Sequence, residues 1–144
     1  MDNEFRVFFT AKSSNEALAR MMVAAFVSQY DPTISELTDM KTAVSEAVTN
    51  AIIHGYEREE GEVELYCGYQ EAEKEIYLEI ADRGRGIANL EQAMEPLYTS
   101  KPEMERSGMG FTIMEAFMDG IRVESTPDNG TRIFLRKKLS AGLG

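Results

Sequence analysis

The spacing of hydrophobic residues divides the chain into blocks with a helical period and blocks with the period of a strand. Apolar residues at helical spacing predict three helices, at 14–29, 33–54 and 110–118. Runs of β-forming residues predict five strands, at 4–11, 62–69, 74–81, 121–125 and 131–138. This order predicts an α/β (α+β) two-layer sandwich, in which a mixed, mostly antiparallel sheet carries three helices on one face.

The predicted strands at 62–69 and 74–81 alternate between apolar and polar residues. Val63, Leu65 and Cys67 fall on one face of the first strand, and glutamates fall on the other. A period of two is typical of a sheet that is covered on one side and wet on the other. The short segment QEAE between the two strands suits a hairpin.

Residues that favour helix ends flank the first two helices. Ser14 is the expected N-cap of the first helix, and the pair Asp31-Pro32 ends that helix. Gly55 is the expected C-cap of the second helix. The segment 83–106 has no strong periodicity and contains glycines and prolines, and a loop of this length is more often functional or mobile than structural.

The predicted second helix carries a polar row, because Glu46, Asn50 and His54 recur at intervals of four residues. The row lies at the margin of the apolar stripe that is expected to be buried, beside Ala43 and Ala47. These small residues are expected to leave room for a ligand against the row. The same spacing is also typical of a solvated helix face, so the row alone does not distinguish a ligand site from an ordinary exposed surface. The apolar stripe is Met40, Val44, Val48, Ala51 and Ile52.

Composition restricts the class of protein. The 144 residues, 43% hydrophobic and 28% charged, are typical of one globular domain, 1–144. The formal net charge of −10 argues against a protein that binds nucleic acids through their phosphates, and it favours a basic or neutral protein partner. Cys67 is the single cysteine, so a disulfide framework and a cysteine zinc cluster are excluded. Without a membrane-spanning apolar segment or a signal peptide, a soluble cytoplasmic protein is expected.

Two glycine-containing turns could approach a ligand closely. Asp82 stands at the end of a predicted strand, and Gly84 and Gly86 follow it, which would let a flat group lie against the backbone. The segment RSGMG, at 106–110, begins a predicted helix, where free amide groups favour a phosphate. Each turn would also fit an ordinary turn or helix cap without a ligand. Neither completes a P-loop or the glycine motif of a dinucleotide fold.

Four segments in this order resemble the motifs of the GHKL ATPase and kinase superfamily, which has the Bergerat nucleotide-binding fold. SEAVTNAIIHGY resembles its N box, DRGRG its G1 box, SGMG its G2 box, and NGT its closing Gly-Thr pair. The segments MKTAVSEAVTNAIIHGY and PLYTSKPEMERSGMGFTIMEAFMD further resemble the stand-alone anti-sigma-factor serine kinases of spore-forming bacteria. The second resemblance covers nearly the whole chain.

The resemblance implies specific roles at a site for ATP and Mg²⁺. Asp82 would accept a hydrogen bond from the adenine amino group, and Thr131 would support the same ring. Asn50 would coordinate the Mg²⁺ that bridges the phosphates, and Glu46 would take the proton from a substrate serine. The remaining nucleotide contacts would come from the G1 and G2 boxes: Gly84, Gly86, Ser107, Gly108, Met109 and Gly110.

The resemblance also assigns the loop between the G1 and G2 boxes. Residues 87–106 would form an ATP lid, with Lys101 and Arg106 near the γ-phosphate. His54 is expected to support the site without a role in the chemistry. Since His54 is the single histidine and lies in the N box, a histidine autokinase fits the sequence poorly. Arg20 and Arg106 are candidate docking residues for a protein partner, although most exposed arginines have no such role.

Two activities in one domain are implied by the resemblance. The protein would bind and inhibit an RNA polymerase sigma factor that acts in sporulation, and it would use Mg-ATP to phosphorylate a serine of the anti-anti-sigma factor. A nucleotide-gated binding scaffold without kinase activity and a related stress-response kinase are the alternatives. A homodimer is also implied. The apolar strand FRVFF could pair edge to edge with its twin, or it could be an ordinary strand with a covered edge.

Overall fold

Five strands form one sheet in the computed structural model, which describes residues 1–55, 61–83, 110–126 and 129–140. The strands are β1 Asn3–Thr10, β2 Glu62–Gln70, β3 Glu75–Asp82, β4 Gly120–Thr126 and β5 Gly130–Lys138. Their order in the sheet is β1-β2-β3-β5-β4, and every pair of neighbours is antiparallel. Within the described residues the sheet is therefore wholly antiparallel, with β1 at one edge.

Three helices pack on one face of this sheet. Helix α1 spans Asn15–Val27, α2 spans Ile34–Asn50 and α3 spans Gly110–Phe117. A 3₁₀ turn at Ser28–Tyr30 follows α1, and a π-helical turn at Ala51–Gly55 follows α2. The two layers confirm the predicted fold class. Among the helices that the structure describes, none is long and apolar enough to cross a membrane.

Ser14 stands at the N-cap position of α1 as predicted, but the expected capping hydrogen bond is wrong. Ser14 already has helical backbone angles, with φ −63° and ψ −25°, and its side chain makes no capping hydrogen bond. A capping side chain reaches the following amides from an extended backbone, and the helical backbone at Ser14 prevents this. The side chain of Asn15 instead donates to the carbonyl oxygen of Thr10 at 2.8 Å, which ties the start of α1 to the end of β1.

The start of α2 is fixed by a capping box and by a residue from the other end of the chain. Thr33 Oγ1 accepts a hydrogen bond from the Glu36 amide at 3.0 Å, and Glu36 Oε1 accepts one from the Thr33 amide at 2.8 Å. The Ser140 amide donates to Glu36 Oε2 at 2.9 Å. Burial alone would raise the pKa of Glu36, but these hydrogen bonds outweigh it and lower the pKa below its usual value.

The predicted C-cap of the second helix is also wrong. The α-helix ends at Asn50 with Ala51 as its C-cap, and Gly55 is instead the last residue of the π-helical turn. This turn packs against β3 and β5. Contact with the sheet, rather than a glycine, therefore sets where the regular helix stops.

The buried face of α2 is wider than the sequence predicted. Met40, Val44 and Val48 are fully buried as expected, and so are Ala43 and Ala47. The expectation that these alanines leave room for a ligand is wrong, because both belong to the core. Since α2 packs against both α1 and α3, their small side chains serve close helix packing.

The helix-facing side of the sheet supplies the rest of the core. Cys67, Leu78 and Leu135 face one another across β2, β3 and β5, and all three are buried. Burial raises the pKa of the Cys67 thiol. The apolar alternation predicted for the two central strands is thus confirmed.

Ion pairs cover the opposite side of the sheet, here called the open face. Arg6 and Arg132 each contact both Glu64 and Glu79. Burial alone would raise the pKa of Glu64, but the hydrogen bonds and positive charges of the two arginines lower it. Glu64 and Glu79, two of the glutamates predicted on the wet face, do lie there, and they form a charge network with the two arginines.

Candidate nucleotide-binding site

One row of polar side chains crosses the helix-facing side of the sheet near its end. Asp82, the last residue of β3, lies opposite Thr131 of β5, and Thr131 lies opposite Ser125 of β4. The adjacent row on the same face is apolar and contains Ile80 and Ile133. Asp82 and Thr131 are each 6% exposed. The core face of the sheet therefore ends in a carboxylate and two hydroxyls that lie side by side.

Gly130 lets the start of β5 pass close to the backbone of Asp82. Its φ is +88°, and a Cβ placed on it would lie 2.1 Å from the carbonyl oxygen of Asp82 and 2.7 Å from the Cα of Arg83. Neither the backbone angle nor the available space admits a side chain. Glycine is required here to hold Thr131 beside Asp82, whereas the sequence indicated Gly130 only as part of the NGT motif.

Ser125 is a residue of this row that the sequence pattern did not single out. Its Oγ lies 2.8 Å from Thr131 Oγ1 and 3.3 Å from the carbonyl oxygen of Gly130. The signal that could have found it is the alternation of β4, in which Ser125 takes the core-facing position after Ile121 and Val123. A hydroxyl at such a position needs a polar partner.

The last turns of α2 place Glu46 and Asn50 near the start of α3. Both residues are partly buried and lie one turn apart on the helix. Glu46 Oε2 lies 3.5 Å from the position that a Cβ on Gly110 would take. The π-helical turn after Asn50 packs against the two strands that carry Asp82 and Thr131. The elements that carry the N box, the last glycine of the G2 box and the polar row thus pack together.

Arg20 lies beside α2, in contact with Ser45, the residue before Glu46. Its Nη1 donates to Glu16 Oε1 at 2.7 Å and to Ser45 Oγ at 3.2 Å. The Arg20 side chain keeps 37% exposure. The candidate docking arginine is therefore held against the site-bearing helix by two side chains.

A cavity of about 470 Å³ lies at the end of the sheet where the polar row is found. Its walls include Asp82, Ser125 and Thr131, together with open-face residues such as Glu64 and Arg132. This volume falls within the range of small-molecule sites.

Comparison with known families identifies the domain. The family model described as a histidine kinase-like ATPase domain matches residues 9–137. The chain belongs to this family. The matched segment includes the three helices, the whole of β2, β3 and β4, nearly all of β5 and the end of β1, so the resemblance noted in the four motifs extends to most of the described fold.

Similar proteins from Clostridium and Bacillus species match this chain along nearly its full length. A protein named anti-sigma F factor from Clostridium perfringens is 60% identical over 140 residues, which cover 97% of this chain and 99% of the relative. The anti-sigma F factor of Bacillus licheniformis is 58% identical and also covers 97% of this chain. These matches confirm the predicted resemblance to the GHKL superfamily and to anti-sigma factors of this type.

Solved structures show the same fold at low sequence identity. The RsbU and RsbW domains of a Mycobacterium tuberculosis protein superpose with a TM-score of 0.70 and 18% identity, covering 95% of this chain and 32% of that one. Full-length ShkA in complex with AMPPNP gives a TM-score of 0.60 at 15% identity, covering 88% of this chain and 30% of that one. These matches show the fold, and the ATPase assignment comes from the family model.

The described residues fit the ATP and Mg²⁺ that such a domain implies. The buried carboxylate and hydroxyls of the polar row suit the donors and acceptors on the edge of a base. Within the described residues no group of three or more His, Cys, Asp or Glu side chains could hold a metal ion by itself. Mg²⁺ bound to nucleotides needs only one or two protein oxygens besides phosphates and water, so the amide oxygen of Asn50 is a sufficient donor.

Several predicted site residues lie outside the described residues, and their roles stay predictions. They are Gly84, Gly86, Lys101, Arg106, Ser107, Gly108 and Met109, together with the ATP lid at 87–106. The same holds for the His54 side chain. The structure brings together Glu46 with Gly110, and Asp82 with Thr131.

Proposed function

We propose that the protein is an anti-sigma factor that also acts as an ATP-dependent protein-serine kinase, working in the cytoplasm as a single domain. It binds and inhibits an RNA polymerase sigma factor of the sigma-F type, and it phosphorylates and inactivates the anti-anti-sigma factor. The proposal depends above all on one observation. The Glu46 carboxylate lies against the first residue of α3, in a chain of the ATPase family whose relatives are named anti-sigma F factors.

In this proposal Glu46 is the catalytic base. It accepts the proton of the substrate serine hydroxyl, while the backbone at the start of α3, including Gly110, holds the phosphates. Asn50, one turn further along α2, would hold Mg²⁺, which neutralises phosphate charge. Phosphoryl transfer needs mainly such positioning and charge neutralisation, so a carboxylate and an amide at this spacing are sufficient side-chain chemistry.

The polar row would bind the base of the nucleotide. The Asp82 carboxylate accepts a hydrogen bond from the adenine amino group, and Thr131 supports the same ring. Both side chains are almost fully buried, so their hydrogen bonds to a ligand would form away from bulk water. Gly84, Gly86, Lys101, Ser107, Gly108 and Met109 complete the proposed nucleotide contacts.

The partner assignments follow from the relatives and from charge. The name anti-sigma F factor supports a sigma factor as the inhibited partner, and the net charge of −10 favours a partner with a basic surface. Arg20 and Arg106 are proposed docking residues. We also propose a homodimer, for which β1 offers an edge that pairs with no other strand in the described part of the chain.

Replacing Glu46 by glutamine tests the kinase assignment. The amide keeps the shape of the side chain but cannot accept a proton in this role, so transfer of labelled phosphate from Mg-ATP to the anti-anti-sigma factor should fall about 100-fold or more. Affinity for ATP should change by less than about threefold, because the group acts on the hydroxyl and not on the nucleotide. Single-turnover transfer and nucleotide titration give the two quantities.

The matched control is Glu115→Gln, an exposed glutamate of α3, which should leave transfer and ATP affinity unchanged. If Glu46→Gln transfers phosphate as fast as the unmodified protein, Glu46 is not the catalytic base. If the unmodified protein binds ATP and the sigma factor but transfers no phosphate, the protein is a nucleotide-gated scaffold. Transfer to a partner of another sigma factor would indicate the stress-response kinase instead.

A further inference from the structure

The helix-facing side of β5 ends in a lysine that is largely shielded from water. Thr131, Ile133 and Leu135 are buried residues on this side of the strand, and Lys137 takes the next position on the same side. The Lys137 side chain is 13% exposed. A lysine in such a position packs its methylene groups against apolar neighbours and directs its ammonium group to polar atoms. Lys137 lies at the end of the sheet opposite the polar row.

The ammonium group of Lys137 joins α2 and α3. Its Nζ donates to the carbonyl oxygen of Phe117, the last residue of α3, at 2.6 Å. It also donates to Asp39 Oδ2 on α2 at 3.4 Å. The last carbonyl groups of a helix have no partner within the helix, and a positive charge beside them is favourable. One side chain of the sheet thus holds the end of α3 next to α2.

Glu46 lies at the other end of the contact between α2 and α3. Asp39 and Glu46 are seven residues apart, which places them two turns from each other on one face of α2. Helix α3, eight residues long, spans about the same length of roughly 10 Å. The Asp39 contact is at the end of α3, whereas Glu46 Oε2 lies 3.5 Å from the position of a Cβ on Gly110, at its start. The two helices therefore run antiparallel, with Lys137 and Glu46 at opposite ends of their contact.

We propose that Lys137 is a positioning residue for phosphoryl transfer: it fixes how far α3 extends along α2, and so the distance from the Glu46 carboxylate to the phosphates at the start of α3. This inference rests on the proposed kinase function. Lys137 lies at the far end of α3 from the phosphates, so it acts through the helix. Transfer is sensitive to such spacing, because a displacement of about 1 Å between reacting groups can slow a reaction about 100-fold.

Other hydrogen bonds at this end of α3 do not use the Lys137 side chain. The Asp119 amide donates to the Arg136 carbonyl oxygen at 2.8 Å, and the Lys138 amide donates to Asp119 Oδ2 at 2.7 Å. These bonds hold the turn between α3 and β4 against β5. The variant Lys137→Met keeps a long side chain and removes the charge and the donor, so it should still fold.

In Lys137→Met, single-turnover transfer of phosphate to the anti-anti-sigma factor at saturating Mg-ATP should slow by about tenfold. The dissociation constant for Mg-ATP should change by less than about threefold, because the contacts of the base at the polar row remain. Lys137→Arg keeps donors for both oxygens and should restore the rate to within about threefold of the unmodified protein. Asp39→Asn should also slow transfer, and the two changes together should slow it by less than the product of their separate effects.

Two controls separate positioning from stability. Lys138→Met makes the same change at the next residue, whose exposed ammonium group pairs with Glu73, and it should leave transfer unchanged. Leu139→Ala removes a buried side chain just beyond the end of β5. It should lower the unfolding temperature without slowing transfer by the folded protein.

The outcomes distinguish this inference from the proposed function. If the unmodified protein transfers no phosphate, the proposed function fails, and this role of Lys137 fails with it. If the unmodified protein transfers phosphate and Lys137→Met is equally fast, the positioning role is refuted while the proposed kinase function stands. If Lys137→Arg does not restore the rate, or if Leu139→Ala slows transfer equally, the inference is also overturned, because general loosening of the domain would then explain the effect.

Discussion

Single backbone positions hold the candidate site together, and Gly130 is the clearest of them. Its positive φ and its approach to the Asp82 carbonyl oxygen permit the register that sets Thr131 beside Asp82. The positions of the Asp82 and Thr131 side chains, which would contact the base, therefore depend on a glycine at position 130. The closing Gly-Thr pair is therefore one unit, in which glycine supplies the close approach and threonine the hydroxyl.

Replacing Gly130 by alanine should destabilise the protein by at least about 2 kcal/mol, because left-handed strain and steric overlap with the Asp82 backbone add. Urea unfolding followed by circular dichroism measures the change in the free energy of unfolding. Gly110→Ala is the matched control, because its Cβ would stand 3.5 Å from Glu46 Oε2, an ordinary contact. Equal stability of the two variants would contradict the steric role of Gly130.

The site residues at the strand ends could be predicted from the sequence where they belong to a motif. They could not be predicted where only the packing of the strands brings them to the site. Asp82 and Thr131 stand in motifs that lie far apart in the sequence, and the antiparallel register of β3 and β5 joins them. Ser125 has no motif, since its importance arises only when β4 pairs with β5. Sequence alone shows neither that pairing nor the contact between the Ser125 and Thr131 hydroxyls.

At the scale of whole elements, α2 connects the candidate site to the rest of the domain. Its start is held by the Thr33 and Glu36 capping box and by the Ser140 amide, and its end widens into the π-helical turn over the sheet. The helix that carries Glu46 and Asn50 is thus anchored at both ends. Its position in the domain depends on contacts that are distant in sequence.

The variant Glu36→Gln should lose about 1 kcal/mol of stability at pH 7, because hydrogen bonds to a charged acceptor are stronger by about that amount. The pKa of Glu36 is lowered in the folded state, so its contribution is present above the usual carboxyl pKa and is lost as pH falls through the folded value. The difference in unfolding free energy between the variant and the unmodified protein should therefore shrink as the pH falls below about 5, near the upper end of carboxyl titration.

Denaturant unfolding at several pH values measures this difference. Glu115→Gln on α3 is the control, since it makes the same change of side chain at an exposed position outside the capping box. If the stability difference for Glu36→Gln stays constant down to about pH 3, well below the usual carboxyl pKa, the ionised Glu36 carboxylate does not stabilise the start of α2.

The strands and helices themselves were predictable because their periods of burial are strong. The alternation in β2 and β3 and the apolar spacing of α1 and α2 gave bounds close to the observed ones. The ends were less predictable. Ser14 makes no capping hydrogen bond because its own backbone is already helical, and the π-helical turn at Ala51–Gly55 packs against β3 and β5, which are distant in sequence.

For the molecule as a whole, charge is distributed unevenly between its surfaces. The formal net charge is −10, yet on the open face Arg6 and Arg132 balance Glu64 and Glu79 in one network. Within that network the charges are already paired and contribute little to the field at a distance. The excess negative charge therefore belongs to the rest of the molecule, where it can attract a basic partner.

Association with the proposed sigma factor should slow as salt is added. Raising the ionic strength from about 0.05 M to 0.5 M should lower the association rate constant by about tenfold or more, because salt screens the attraction that steers the partners together. Stopped-flow fluorescence measures this rate. Dissociation should change much less. An association rate constant that is independent of ionic strength would show that net charge does not guide the encounter with the sigma factor.

The single thiol of the chain provides a built-in probe of how the domain opens. Cys67 lies within the sheet between β1 and β3, fully shielded from solvent, and its ionisation is suppressed. A thiol-reactive dye can therefore modify it only during openings that expose β2, so the labelling rate reports the free energy of those openings. Spectroscopic labels can in turn be attached to cysteines introduced at the surface while Cys67 stays in place, since an exposed thiol reacts much faster.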